Sequence, residues 1–294
     1  MSQLDIRQLY QGWYAIMIVS ASRRTDIPAL FSEWFYNRVK TGFVLLRNPY
    51  NFHQVGRVTL MPDKVEGIVF WTKNAAPMLP RIHELDGFKY YFQFTITAYE
   101  RDIERNLPDK QDVIIPAFKK IGADKAIWRY DPILINERYT WDYHIRAFTK
   151  LAEELEGFTR KAVMSYVDAY RGVNLAAIGV QQMTLEQQRE MAQQLAEIAA
   201  KHGIKLTACA EDVGLPTARC VDATMFGLRK PKDNSQRGLC ACAESGDIGA
   251  YNTCSNGCAY CYANHYGYVK PMADPNCELL GAPLTGNEKI KQRN

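Results

Sequence analysis

The sequence predicts an α/β fold, a partial or complete parallel (β/α) barrel of about six units. Strand-like apolar runs alternate with amphipathic helical segments up to about residue 212, and such alternation builds parallel sheets with right-handed crossovers. No G-x-G-x-x-G follows any of these runs, which argues against a dinucleotide-binding doubly wound sheet. At 294 residues, 47% hydrophobic and 23% charged, the chain has the size and composition of a globular barrel.

The elements follow in order. A first strand is expected at 15–20. A helix follows near Pro28, where Asp26 is a capping residue and proline suits the first turn. A short apolar run at 43–47 precedes 53–60, whose polar–apolar alternation predicts a local hairpin. Further strands are expected at 67–72, 90–97, 125–130, 161–167 and 204–209, with helices starting near Ala76, Asp112, Thr140 and Leu185 between them. The segment 185–202 is the clearest helix: Leu185, Met191, Leu195, Ile198 and Ala199 share a face, and Gly203 stops it. From about Cys220 the pattern lapses into a Gly- and Cys-rich coil. The expected division is therefore a barrel over 1–212 and a Cys-rich segment over 213–294 that packs back on the barrel mouth.

Composition excludes some classes. No run reaches the ~18–20 apolar residues of a membrane span. The apolar stretch from Trp13 to Val19 lacks a basic n-region and a cleavage site, so the expectation is a cytoplasmic protein with no membrane partner. A net charge of +4 permits an anionic ligand without indicating nucleic acid, and no Lys/Arg stripe with interleaved aromatics is present.

All eight cysteines lie between Cys209 and Cys277, and Cys254, Cys258 and Cys261 form a C-x3-C-x2-C run. Thiols this close in sequence rarely all find partners at disulfide geometry. Structural zinc sites usually close four ligands, whereas this run offers three. Three ligands on a four-iron cluster would leave one iron open. A cluster is the leading reading, with zinc or no metal as alternatives.

The stretch from Asn252 to Asn264, with Tyr260 before the third cysteine and Tyr262 after it, resembles the cluster loop of radical S-adenosylmethionine enzymes. In particular it is similar to the loop of spore photoproduct lyases and their DNA-repair-photolyase-like relatives. The resemblance implies a 4Fe–4S cluster on Cys254, Cys258 and Cys261, and S-adenosylmethionine on the fourth iron. It also implies an electron donor of the flavodoxin or ferredoxin type. In that superfamily the loop normally follows the first strand, so here the order is permuted. The segments around Lys73, Thr97 and Arg129 resemble strand ends of the same relatives. The whole order, from the Arg23–Pro28 region to the last cysteines, looks like a family described only as a domain of unknown function.

In parallel barrels the active site forms at the C-terminal ends of the strands. Polar groups are expected there at Arg23, Arg24 and Asp26, at Lys73 and Asn74, at Thr97, at Arg129 and Asp131, at Ser165 and Asp168, and at Glu211 and Asp212. Singly each has a plainer reading as a cap, a turn or a solvated charge; together they predict a polar mouth. If S-adenosylmethionine binds there, Lys73 or Arg129 suits its carboxylate, with Asn74 beside them. Thr97 and Ser165 suit the methionyl or ribose groups, and Tyr260 and Asn264 would flank the adenine. Arg23 and Arg24, with Asp26 on the same loop, suit an unknown anionic substrate. Cys209, Cys220, Cys240 and Cys242 form a candidate second site, for a further 4Fe–4S cluster or zinc, or are simply small buried residues. Cys277 reads as structural. The leading function is a radical S-adenosylmethionine enzyme whose adenosyl radical abstracts hydrogen from its substrate. DNA-lesion repair or RNA modification by the same chemistry is one alternative, and a non-enzymatic iron–sulfur or zinc protein is the other.

Overall fold

The computed structural model describes residues 17–264, 274–281 and 283–293; positions 13–16 of the N-terminal apolar stretch lie outside them. The described residues form ten strands: β1 (Met17–Ala21), β2 (Phe43–Asn48), β3 (Asn51–Thr59), β4 (Val65–Thr72), β5 (Tyr90–Thr95), β6 (Ala126–Ile133), β7 (Lys161–Tyr166), β8 (Lys205–Ala208), β9 (Gly246–Asp247) and β10 (Lys289–Gln292). Seven form one parallel sheet in the order β8-β7-β6-β5-β4-β1-β9, while β2, β3 and β10 form a small second sheet. The expected hairpin is therefore present, as antiparallel β2–β3.

The six long-sheet strands from β1 to β8 lie in chain order, without the reversal of a doubly wound sheet. Among the described residues β8 and β9 do not pair, so the sheet is open and no complete barrel forms. Both edge strands are short, four and two residues, and the outer side of β8 is capped by a single bridge from Ala208 to Thr217.

The helices follow the expected alternation with local corrections. Asp26 caps a single turn, Ile27–Leu30, through Ala29 N at 3.1 Å, and α1 (Ser32–Thr41) begins afresh beyond Phe31. The helix expected near Ala76 is instead a 3-10 segment, Leu79–Leu85, because Pro77 and Pro80 remove amide donors and crowd the preceding turn. Asp109 starts the next helix three residues before Asp112, accepting from the amides of Gln111 and Asp112. One π turn leads into α2 (Ile115–Ile121). Thr140 caps α3 (Trp141–Glu154), and Thr184 with Gln187 makes a capping box for α4 (Leu185–Lys201). On α4, Met191, Ala192, Leu195 and Ala199 are buried, but Leu185 in the first turn faces solvent.

Alternate strand residues serve two different layers. Val19, Phe70, Phe92, Trp128 and Met164 pack on the helices through Phe35, Phe118, Phe148 and Leu195. Ile18, Val69, Tyr91, Ile127 and Val163 point the other way and pack on Val221 and on Phe226 of a single 3-10 turn, Ala223–Phe226, within the C-terminal coil. Burial on both faces explains why the strands read as continuous apolar runs. The coil is thus part of the core as well as a cover for the strand ends, and it also supplies β9 beside β1.

Gly67 on β4 marks how closely this coil approaches. A Cβ there would lie 2.3 Å from the Phe226 ring. Gly67→Ala is expected to lower stability by about 1–3 kcal/mol through overpacking, read as a lower urea midpoint at unchanged m. An unaltered midpoint would mean that Phe226 does not seat against the sheet.

Candidate functional site

The C-terminal ends of the parallel strands meet the Cys-rich coil, and the site grows from that junction. The loop carrying Cys254, Cys258 and Cys261 is stitched to the segment after β5. Glu104 and Cys258 form an antiparallel bridge, Ala259 N donates to Ile103 O at 2.8 Å, and Asn106 N donates to Asn256 O at 3.0 Å. Asn256 also reaches back to the first strand end, donating to Asp26 Oδ2 at 3.0 Å. The loop therefore lies over the ends of β1, β4 and β5.

Beneath it sits a buried charge cluster that the sequence did not signal. Glu104, 2% exposed, accepts at Oε1 from Lys73 Nζ at 2.7 Å, Thr97 Oγ1 at 2.8 Å and Tyr260 Oη at 2.5 Å. Its other oxygen faces Lys110 Nζ at 3.1 Å. Burial opposes the charge, but the two lysines and the hydroxyl donors outweigh it and hold the carboxyl at about 2. Lys73 is held protonated despite its burial, chiefly by Glu104 and also by the nearby Cys258. Glu104 lies in a loop beyond β5, and only the fold shows that two cations converge on it.

Burial pushes all three loop thiols up, Cys254 to about 12, and neighbouring loop thiols add to the rise at Cys254 and Cys258. Ala263 N donates to Cys261 Sγ at 3.3 Å, and Asn264 Nδ2 closes the loop on Cys254 O at 2.8 Å. Asn264 Oδ1 is buried without a partner. Among the described residues no three His, Cys, Asp or Glu side chains are arranged as a ready metal site.

A cavity of about 530 Å³ opens beside the loop. Cys261, Tyr260, Tyr262 and Lys73 line one side; Cys209, Cys220, Cys240 and Cys242 line another, with Arg129 and Ser165 on its strand-end wall. Arg23 and Arg24 complete it, stacked on Trp71 and Tyr251 with guanidinium-to-ring distances of 5.7 and 5.1 Å. Asp247 of β9 holds their loop, accepting from Ser22 Oγ at 2.6 Å and Arg23 N at 2.7 Å. That carboxylate was also missed, because its role depends on β9 pairing with β1.

Several expected ligand groups are occupied otherwise. Asp26 accepts from Thr72 Oγ1, Lys73 N, Ala29 N and Asn256 Nδ2, which makes it the knot between strand ends and loop and leaves it outside the cavity lining. Asn74 caps its own turn through Ala76 N. Thr97 is committed to Glu104 and also lies outside the cavity lining, as does Asn264. Arg129, 5% exposed, forms a two-pronged pair with Asp131 and donates to Gln93 Oε1 at 3.1 Å and Cys220 Sγ at 2.9 Å. Asp168 pairs with Arg237, a further cation of the cavity wall, and Glu211 accepts from Tyr166 N at 3.2 Å. Cys277 lies away from these groups, its carbonyl accepting from Trp34 Nε1 at 2.7 Å.

An open parallel α/β sheet with a thiol-rich cavity at its strand ends defines the class of protein. The chain belongs to the family whose model is described as a domain of unknown function, DUF1848, which matches residues 18–263 and so spans both the sheet and the three-cysteine loop. No curated protein matches it. Among the described residues no helix is long and apolar enough to cross a membrane.

Proposed function

We propose that this chain is a radical S-adenosylmethionine enzyme built on a partial (β/α) barrel, with Cys254, Cys258 and Cys261 holding a 4Fe–4S cluster. The observation that carries the reading is the position of the C-x3-C-x2-C loop. The bridge from Cys258 to Glu104 and the Asn256 bond to Asp26 set the loop over the C-terminal strand ends, and Cys261 and Tyr260 open into a cavity of about 530 Å³. The donor set fits: three soft thiolates suit iron–sulfur ligation, and the amide of Ala263 already aims at Cys261 Sγ. When bound and reduced by an external flavodoxin- or ferredoxin-type donor, such a cluster supplies the electron that splits S-adenosylmethionine into methionine and a 5′-deoxyadenosyl radical.

The chain's own groups then have positioning roles. Lys73 offsets thiolate charge beside Cys258. Glu104 fixes Lys73 and the Tyr260 hydroxyl, so the ring that flanks Cys261 cannot swing. Ser165 lines the cavity wall, where it suits a ribose or methionyl contact. Arg23 and Arg24, held on aromatic faces at the rim, suit an anionic substrate. Because Arg129 is engaged by Asp131 and Lys73 by Glu104, the Arg23–Arg24 pair, which Asp247 meets only at 3.9 Å, is the better cation site for a carboxylate. Anaerobic reconstitution should give four irons on this loop and an electron-paramagnetic signal that changes on adding S-adenosylmethionine. A signal indifferent to S-adenosylmethionine would favour the non-enzymatic cluster reading.

A further inference from the structure

We propose that Cys209, Cys220, Cys240 and Cys242 form a separate metal centre, a single zinc-type ion held by four thiolates. These residues come from the end of β8 and from two coil segments that have almost no regular structure of their own. The fold nevertheless brings them together. Ala218 N donates to Ala208 O, and Ala243 N donates to Val221 O at 2.9 Å, which sets the three segments side by side. From the inner face of β5, Tyr91 Oη and Gln93 Nε2 both donate to Cys220 O, at 2.7 and 2.8 Å.

Two of the side chains already touch: the Cys209 and Cys220 sulfurs stand 3.5 Å apart, and Cys240 and Cys242 line the same cavity. A tetrahedral ion with bonds of about 2.3 Å sets its sulfurs roughly 3.8 Å apart, close to the observed contact. A four-iron cube would have to force the same sulfurs well apart within a packed core. In the thiol form no three of them surround a common point, so an ion would gather them by side-chain rotation.

The surroundings suit thiolates. Arg129 Nη1 donates to Cys220 Sγ at 2.9 Å, and Val221 N donates to Cys242 Sγ at 3.4 Å. Hydrogen bonds of this kind are what orient and charge-balance metal-bound thiolates. Binding one divalent ion to four thiols releases four protons and leaves a net charge of −2, beside the buried guanidinium of Arg129. The structural return is a staple for the coil that covers the inner face of the sheet.

The test removes the other candidate site first. In full-length C254S/C258S/C261S, we expect about one zinc per chain after purification, and intense visible absorption of tetrahedral thiolate type on cobalt substitution. Adding C242S should abolish that absorption, while adding C277S should leave it. Should C242S misfold, iodoacetamide labelling followed by mass spectrometry reads the same site in the triple variant. Cys209, Cys220, Cys240 and Cys242 should resist modification until a chelator is added, whereas Cys277 should react at once. A triple variant without tightly held metal, labelling of those four at the rate of Cys277, or several irons per chain would overturn the proposal. None of these outcomes depends on the chemistry of the Cys254–Cys261 loop.

Discussion

Reduced with dithionite in the absence of oxygen, the reconstituted wild type is expected to release 5′-deoxyadenosine from S-adenosylmethionine, and Cys258→Ala to release none above background. Cys258 is half-buried, beside Lys73 and Glu104 and near its two neighbouring thiols. Removing its sulfur takes away one of only three ligands, so the loss of cleavage should be complete rather than graded. The fold should survive. The loop is fixed by backbone bonds from Ala259 N to Ile103 O and Asn106 N to Asn256 O, and neither uses the sulfur. A stability loss of about 1 kcal/mol is expected, typical of truncating a small half-buried side chain. Unchanged far-ultraviolet circular dichroism with abolished 5′-deoxyadenosine would satisfy both halves. Cleavage by the variant at the wild-type rate, or a wild type that binds only zinc, would end the enzyme reading.

Glu104→Gln is expected to be the most destabilising isosteric change at the site. The carboxylate neutralises two lysines, Lys73 at 2.7 Å and Lys110 at 3.1 Å, and the amide leaves both partly buried cations without it. Breaking a buried pair from one side costs about 3–5 kcal/mol, and denaturant unfolding at pH 7 should show it. The pH dependence should differ in a defined direction. A carboxyl held at about 2 in the folded chain against 4.5 unfolded adds about 3 kcal/mol above the higher value. That contribution falls away as pH drops from about 4.5 towards 2, because the unfolded chain binds a proton that the folded chain refuses. Wild type should therefore lose stability across that window more steeply than the variant. Parallel pH profiles, or a loss under about 1 kcal/mol at pH 7, would show that Glu104 does not hold this cluster.

Much of the scaffold was legible because its signals are local. Apolar runs gave the sheet strands to within a few residues, the alternation at 53–60 gave the hairpin, helices start beside Thr140 and Leu185, and Asp26 acts as a cap. The misjudged elements have local causes too: Pro77 and Pro80 turned an expected α-helix into 3-10 turns, and Leu185, apolar by type, faces solvent at a first turn. The grouping of the loop cysteines was visible from spacing alone.

The sequence by itself determined the α/β class, the strand order along the chain and the three-thiol loop, since each rests on residues near one another in sequence. The tertiary structure alone decided that the sheet stays open, that the C-terminal coil fills its inner face, and that Arg129 is committed to Asp131 and Cys220. It likewise brought Glu104 under Tyr260, 156 positions away, and Asp247 beside Ser22, 225 positions away. Such pairs follow from which surfaces the sheet leaves uncovered and which charges must find partners once buried. No window of sequence carries that information, because burial and charge pairing are properties of the assembled core.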